Sequence, residues 1–274
     1  MLRKLKKVVA IVFIIVSVPY ILTVFINGKT VKETESAQDH LLQEHCIEKL
    51  AQEVSSDYEE EMLKVQAILV RTSVYKEVEE LGKAYLEQEE FENTEKIDPL
   101  WKKKLEDVWK ETEGQVILYN NELALVPFHQ VSNGKTRNGQ EVLGVDTYPY
   151  LQVKECPKDV EAVNQIASTF IDATGVKVES YDSAGYALQI KVGEETYSGE
   201  NFRDTYQLAS SCVEIQDFTE NTRVITKGVG HGLGLSQYTA NEMAKEGKTA
   251  AEILAFFFEG TEIKEVAEIL WEIE

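Results

Sequence analysis

At 274 residues and 31.0 kDa, with 43% hydrophobic and 28% charged residues, the chain is long enough to bury a sizeable core and has a globular rather than a disordered composition. A formal charge of −20 and a pI near 4.7 argue against a nucleic-acid partner, which would require Lys and Arg to displace condensed counterions. The three cysteines, Cys46, Cys156 and Cys212, lie far apart without a CxxC pair, so neither a disulfide framework nor a zinc knuckle is indicated.

The chain opens with the basic stretch MLRKLKK and continues with an apolar run from Val8 to Ile26. At ~1.5 Å per residue the run is about long enough to cross a bilayer. Arg3, Lys4, Lys6 and Lys7 precede it, which predicts a cytoplasmic N-terminus and a transmembrane anchor over residues 1–28. The expected location is therefore the cell membrane, single-pass, with the rest of the chain extracytoplasmic. A cleaved signal peptide is the alternative; the length of the run and the absence of a small-x-small site around Phe25–Lys29 argue against it.

Residues 29–40 read as a polar linker, and residues 41–274 as the folded domain. From about Leu41 to Glu90 apolar residues recur at three- and four-residue spacing, the pattern of amphipathic helices. Ser55, Ser56 and Asp57 fit an N-cap cluster that starts the second helix. Residues 81–113 are rich in Lys and Glu and read as a charged helical pair or insertion. The period then changes: QVILYNNELALVPFH predicts a hairpin turning at Asn120-Asn121. NGKTRNGQE is a turn-rich loop, VEAVNQIASTFIDATG predicts a helix ended by Gly175, and the residues from Val176 to Phe202 alternate as two or three strands. QYTANEMAKEGKT and AAEILAFFFEG close the pattern as helices. Helices and antiparallel strands are segregated, so the expected class is α+β, with the N-terminal transmembrane helix in front of it.

The stretch GVGHGLGLSQY, Gly228 to Tyr238, alternates four glycines with other residues before His231, Ser236, Gln237 and Tyr238 converge. The GxGxxG spacing is absent and no Lys-Ser/Thr pair follows, which excludes a phosphate loop. Ser210, Ser211 and Ser236 are candidate nucleophiles without a GxSxG context, and no HExxH motif occurs. On the residues alone, a tight strand–turn–helix and a loop that contacts a ligand fit equally well.

Four stretches in order resemble the stage II sporulation protein D family, also represented by amidase-enhancer proteins: EVSSDYEEEMLKVQAILVRTSVY, FHQVSNGKTRNGQEVLG, ENFRDTYQLASSCVEI and GHGLGLSQYTANEMAKEGKTAAEILAFFFEGTEI. The resemblance spans about Leu42 to Ile263. It departs from the family pattern at Val54-Ser55, where a Pro is usual after Glu-Met, at Ser73 in place of Tyr, and at Thr239 in place of Gly.

The resemblance implies a lytic transglycosylase that cleaves peptidoglycan between N-acetylmuramic acid and N-acetylglucosamine and leaves an anhydro-sugar end, in sporulation engulfment. It assigns Glu53 as the catalytic acid and base, and a glycan-binding groove to Lys64, Arg71, Ser210, Ser211, His231, Ser236, Gln237 and Tyr238. The glycines of the loop would then let sugar rings approach the backbone. A sporulation amidase is the implied protein partner, together with the membrane. Some members bind zinc through a His and cysteines near the FHS block; here His129 has no cysteine between Val131 and Lys135, and no cofactor is expected. Alternative readings are a catalytically degraded module that binds glycan or recruits an amidase, and an extracytoplasmic scaffold.

Overall fold

The computed structural model describes residues 42–81 and 97–265. The chain falls into two compact units, Met1–Cys46 and Ile47–Glu274. Of the first, residues 42–46 are described and are helical. The second opens with helical residues 47–53 and carries all that follows.

Helix α1, Glu60–Leu81, is the axis of the first core. Its residues Met62, Val65, Ile68 and Leu69 are buried against strand β1 (Gln115–Tyr119) and two late helices, α5 (Gln237–Lys245) and α6 (Ala250–Phe257). Strand β1 pairs antiparallel with β2 (Glu122–Leu123) and β11 (Glu262–Glu265), which ties the end of the described chain back to its middle. The turn between β1 and β2 holds Asn120 and Asn121 at φ of 53° and 67°, the left-handed pair expected of a two-residue hairpin. Helix α6 starts on a capping box in which Thr249 and Glu252 satisfy each other's backbone N–H groups.

Helix α2, Pro99–Glu111, lies in the stretch read as a charged helical insertion; residues 82–96 lie outside the described part. Asp98 caps it, and Leu105, Val108 and Trp109 are buried, packed on α1. The Arg71 guanidinium lies 3.6 Å over the Trp109 ring and donates to the carbonyls of Thr112 (2.7 Å), Trp109 (3.0 Å) and Gln115 (3.1 Å). At 1% exposure Arg71 is an internal strut that satisfies the C-terminal carbonyls of α2, not the groove residue expected from the sequence.

The second core lies between two three-stranded antiparallel sheets. One has the order β4 (Ile166–Ile171), β9 (Thr222–Lys227), β8 (Val213–Asp217); the other has the order β5 (Val176–Tyr181), β6 (Ala187–Val192), β7 (Glu195–Ser198). After a one-turn helix α3 (Gly139–Leu143) earlier in the chain, short helix α4, Gly199–Thr205, closes this core with Phe202. The helix expected over VEAVNQIASTFIDATG is instead a 3₁₀ turn at Pro157–Glu161 followed by strand β4. Ile166, Thr169, Phe170 and Ile171 favour strands, and six-residue pairing with β9 overrides their helical spacing. Gly175, at φ 68°, turns β4 into β5.

The membrane-spanning segment expected from Val8 to Ile26 lies outside the described residues. Among the described residues no helix is long and apolar enough to cross a membrane. The longest, α1, carries Glu60, Glu61, Lys64, Arg71, Lys76, Glu77, Glu79 and Glu80, charges that a bilayer core does not accept cheaply. The expected fold class is corrected accordingly: the architecture is α+β, and neither an N-terminal transmembrane helix nor the single-pass location at the cell membrane is supported.

The chain passes from the second core to the first through Gly228–Gly234. All four glycines take positive φ, between 73° and 103°. Val229 pairs with Val131, Gly230 with Ser210, and Leu233 with Arg137. Strand β10 (Leu235–Ser236) then runs parallel to β3 (Phe128–His129). A Cβ on Gly232 would meet the Tyr186 ring at 2.6 Å, and one on Gly234 would overlap the Pro127 carbonyl. The glycines leave room for the protein's own chain, whose backbone crowds Gly228 and Gly234 and whose side chains crowd Gly230 and Gly232.

Gly234→Ala should therefore cost more than ~4 kcal/mol or abolish folding. The control is Gly247→Ala, at φ 86° with no heavy atom within 4 Å of the added Cβ. It should cost only the ~1–2 kcal/mol of a left-handed backbone. Urea denaturation of the two variants separates the contributions, and equal losses would show that the loop is not clamped. Arg71→Ala should lose on the order of 3 kcal/mol by taking the donor from two buried carbonyls and one half-buried one. Arg71→Lys should not restore the loss, since a compact ammonium cannot stack flat on the Trp109 ring while spanning the acceptors that two guanidinium nitrogens reach. A melting temperature unchanged in both would remove the strut from the account.

Candidate active site

Glu53 is the last helical residue before a turn at residues 54–59, and it is exposed to solvent. Partial burial nevertheless raises its carboxyl above the ordinary carboxylate range, against the opposing pull of Lys49 one turn earlier. Lys49 is itself paired with Glu77 on α1 at 3.3 Å. Behind Glu53 the turn is closed by the Tyr58 N–H donating to the Ser55 carbonyl (3.1 Å), and the Tyr58 ring is packed on the first core.

Helix α5 grips this turn at two points. The Gln237 amide donates to the backbone carbonyl of Glu53 (2.9 Å) and to Gln66 Oε1 (3.1 Å). One turn later Asn241 Oδ1 accepts from the Glu59 N–H (2.8 Å). A third clamp comes from α1, where the Glu61 carboxylate accepts from the Ala250 N–H at the start of α6 (2.7 Å). The structure therefore brings Glu53 and Gln237 into register across 184 residues of sequence.

Ser236 caps α5 and is fully buried. Its hydroxyl donates to Asp159 Oδ2 (2.7 Å), which also accepts from the Ser132 N–H (2.7 Å); the Thr239 hydroxyl donates to Asp159 Oδ1 (2.6 Å). Tyr238 is half-buried, and its N–H donates to the Gln130 carbonyl (3.0 Å). Lys245 at the far end of α5 is drawn up chiefly by its bond to Glu242 (2.7 Å).

Other expected groove residues are occupied elsewhere. Lys64 reaches Glu60, Glu61 and Glu111 at 3.0 Å each; the Glu61 bond leads in pushing its pKa up. Ser210 and Ser211 are both fully buried. Ser210 accepts from the Cys212 N–H (3.0 Å), and Ser211 donates to Glu200 (2.6 Å). These residues, with Arg71, are not brought to Glu53 by the bonds that they make.

His231 is half-buried, its ring centroid 5.9 Å from that of His129. The Leu233 peptide joins them: its N–H donates to His231 Nδ1 and its carbonyl accepts from His129 Nδ1, both at 3.1 Å. Burial drives the His129 pKa down to about 3, helped by His231 and Arg137, so the ring is neutral at neutral pH. Its Nε2 is buried without a hydrogen-bonding partner among the described residues.

A zinc site does not fit this donor set. Cys156 donates weakly to the Lys154 carbonyl, and burial, with the Asp159 charge second, pushes its thiol up to about 12. Zinc binds the thiolate. Among the described residues no three His, Cys, Asp or Glu side chains are grouped to hold a metal.

Charged residues that the sequence reading passed over hold the loops together. Arg137, 1% exposed, donates to Asp182, Glu200 and the His231 carbonyl (3.0 Å), and lies over the Tyr186 ring at 4.9 Å. Arg137 lies in NGKTRNGQE and Asp159 in CPKDV, short polar stretches that look like surface turns; nothing in their local pattern marks them as buried.

Residues 31–119 match the family model described as Stage II sporulation protein. The chain is 28% identical to the Stage II sporulation protein D of Bacillus subtilis (strain 168), an alignment covering 84% of this chain and 76% of that protein. It is 26% identical to the Stage II sporulation protein D of Bacillus amyloliquefaciens, covering 86% of this chain and 77% of that one. The resemblance carried by the four sequence blocks is thus matched along most of the chain by two stage II sporulation D proteins, and over residues 31–119 by the family model, to which this chain is similar.

Proposed function

We propose that the protein is a lytic transglycosylase of peptidoglycan glycan strands, acting in sporulation, with Glu53 as its single acid and base. The observation that carries this reading is the pairing of a solvent-reachable carboxyl, raised by burial, with a backbone held from α5 by Gln237. A protonated Glu53 gives its proton to the glycosidic oxygen as the C1–O bond breaks. The resulting carboxylate then takes the proton of the muramic acid 6-hydroxyl as that oxygen bonds to C1. The anhydro ring forms, Glu53 is restored to its acid form, and no water is consumed. One carboxyl suffices, whereas hydrolysing glycosidases need two. An amidase that strips stem peptides would supply the bare glycan, and no metal has a role in these steps.

Glu53→Gln keeps the side chain's shape and cannot deliver a proton. Release of anhydro-ended fragments from amidase-treated sacculi, followed by mass spectrometry, should fall by at least ~10²-fold while binding to stem-free glycan persists. Anhydro products at the parental rate would sink the assignment. Parent and variant that both bind stem-free glycan without cleaving it would make the chain a glycan-holding module instead.

The electrostatics give a second test. The acid must arrive protonated, so kcat/KM persists below the raised Glu53 pKa and declines as the pH climbs through it. Lys49 lowers that pKa. Lys49→Ala should therefore move the descending limb to higher pH. A limb that stays in place would mean that another group titrates.

A further inference from the structure

We infer that Asp159 is the positioning residue for Glu53, acting through the first turn of α5. The inference rests on Glu53 being the acid of the proposed reaction. Asp159 is fully buried in the 3₁₀ turn Pro157–Glu161, and none of its hydrogen bonds reaches Glu53.

A buried carboxylate is tolerated when its oxygens are satisfied, and those of Asp159 take three short bonds. One comes from the Ser132 N–H, in the loop that follows β3. The other two come from the hydroxyls of Ser236 and Thr239, the N-cap and third residue of α5. The Ser236 oxygen in turn accepts from the Thr239 N–H (3.4 Å), so one carboxylate organises the whole start of the helix. Its negative charge also lies at the positive end of the helix dipole.

Between those two hydroxyl-bearing residues stands Gln237. Its side chain leaves the same turn in the direction of Glu53 and grips the Glu53 carbonyl. Rotation or fraying of the α5 start would move the Gln237 amide and with it the backbone that carries the acid. Among the described residues Asp159 is the only charged group bonded to both the Ser236 and Thr239 hydroxyls, and a displacement of 1 Å at a reacting group can cost ~10²-fold in rate.

The test uses the purified protein with Asp159→Asn, Gln237→Ala and both together. Asparagine keeps the shape but presents an N–H to groups that were donors. Each single variant should lower kcat on stem-free glycan by at least ~10-fold with KM little changed. The double variant should be no slower than the slower single one, because both changes cut the same connection. The Glu53 carboxyl, followed by NMR on glutamate-labelled protein, should titrate at a new pH shared by Asp159→Asn and Gln237→Ala. Ser236→Ala and Thr239→Val, which each remove one donor, should move it part of the way and serve if Asp159→Asn does not fold. Multiplicative losses in the double variant, with the Glu53 titration unmoved in any of them, would overturn the inference. A titration that moves as described in a protein that never cleaves glycan would sustain the positioning role and end the catalytic reading of Glu53.

Discussion

The crossing at Gly228–Gly234 is the constraint on which the rest of the molecule depends. Strand β9 belongs to the second core and strand β10 to the first, and only seven residues join them. Those residues bridge to Val131 and Arg137 in the loop after β3 and to Ser210 on another segment of chain. Side chains would block the crossing, so alternate residues are glycines in left-handed conformations that other residues adopt only at a cost. In sequence the loop fits a tight strand–turn–helix and a ligand cradle equally well; in space it is a junction between two cores.

Buried charge secures the same junction. Arg137 and Asp159 are among the least exposed residues of a strongly acidic chain, and both bond to segments that flank the glycines. Removing a buried carboxylate or guanidinium from water is expensive, and it is compensated only when every bond is made. Apolar contacts tolerate sliding; a carboxylate with three fixed donors does not. The buried ions thus give register to loops that have little regular structure of their own.

The acid-bearing turn inherits this order. Glu53 sits on a short helical stretch and a turn that few apolar contacts could fix, yet α5 holds it through Gln237 and Asn241. Residues near the C-terminus therefore set the geometry of a residue near position 50. Burial and Lys49 act in opposite directions on its carboxyl, leaving it above the ordinary range while still open to solvent.

Local pattern alone determined a good deal: the long apolar face of α1, the Asn120-Asn121 hairpin, the Gln237–Lys245 and Ala250–Phe257 helices, and the mixed class. These follow from periodicity and turn chemistry, which act over a few residues. Tertiary structure decided what local pattern cannot contain. Strand β4 arose where helical spacing was read, because pairing with β9 outweighs propensity. Arg71, Ser210, Ser211 and Ser236 look like ligand-binding residues in a linear string, and each is consumed by internal hydrogen bonds once the chain is folded. Glu53 and Gln237 could both be singled out from sequence, but their contact across 184 residues, and the buried carboxylate of Asp159 behind it, exist only where distant segments meet.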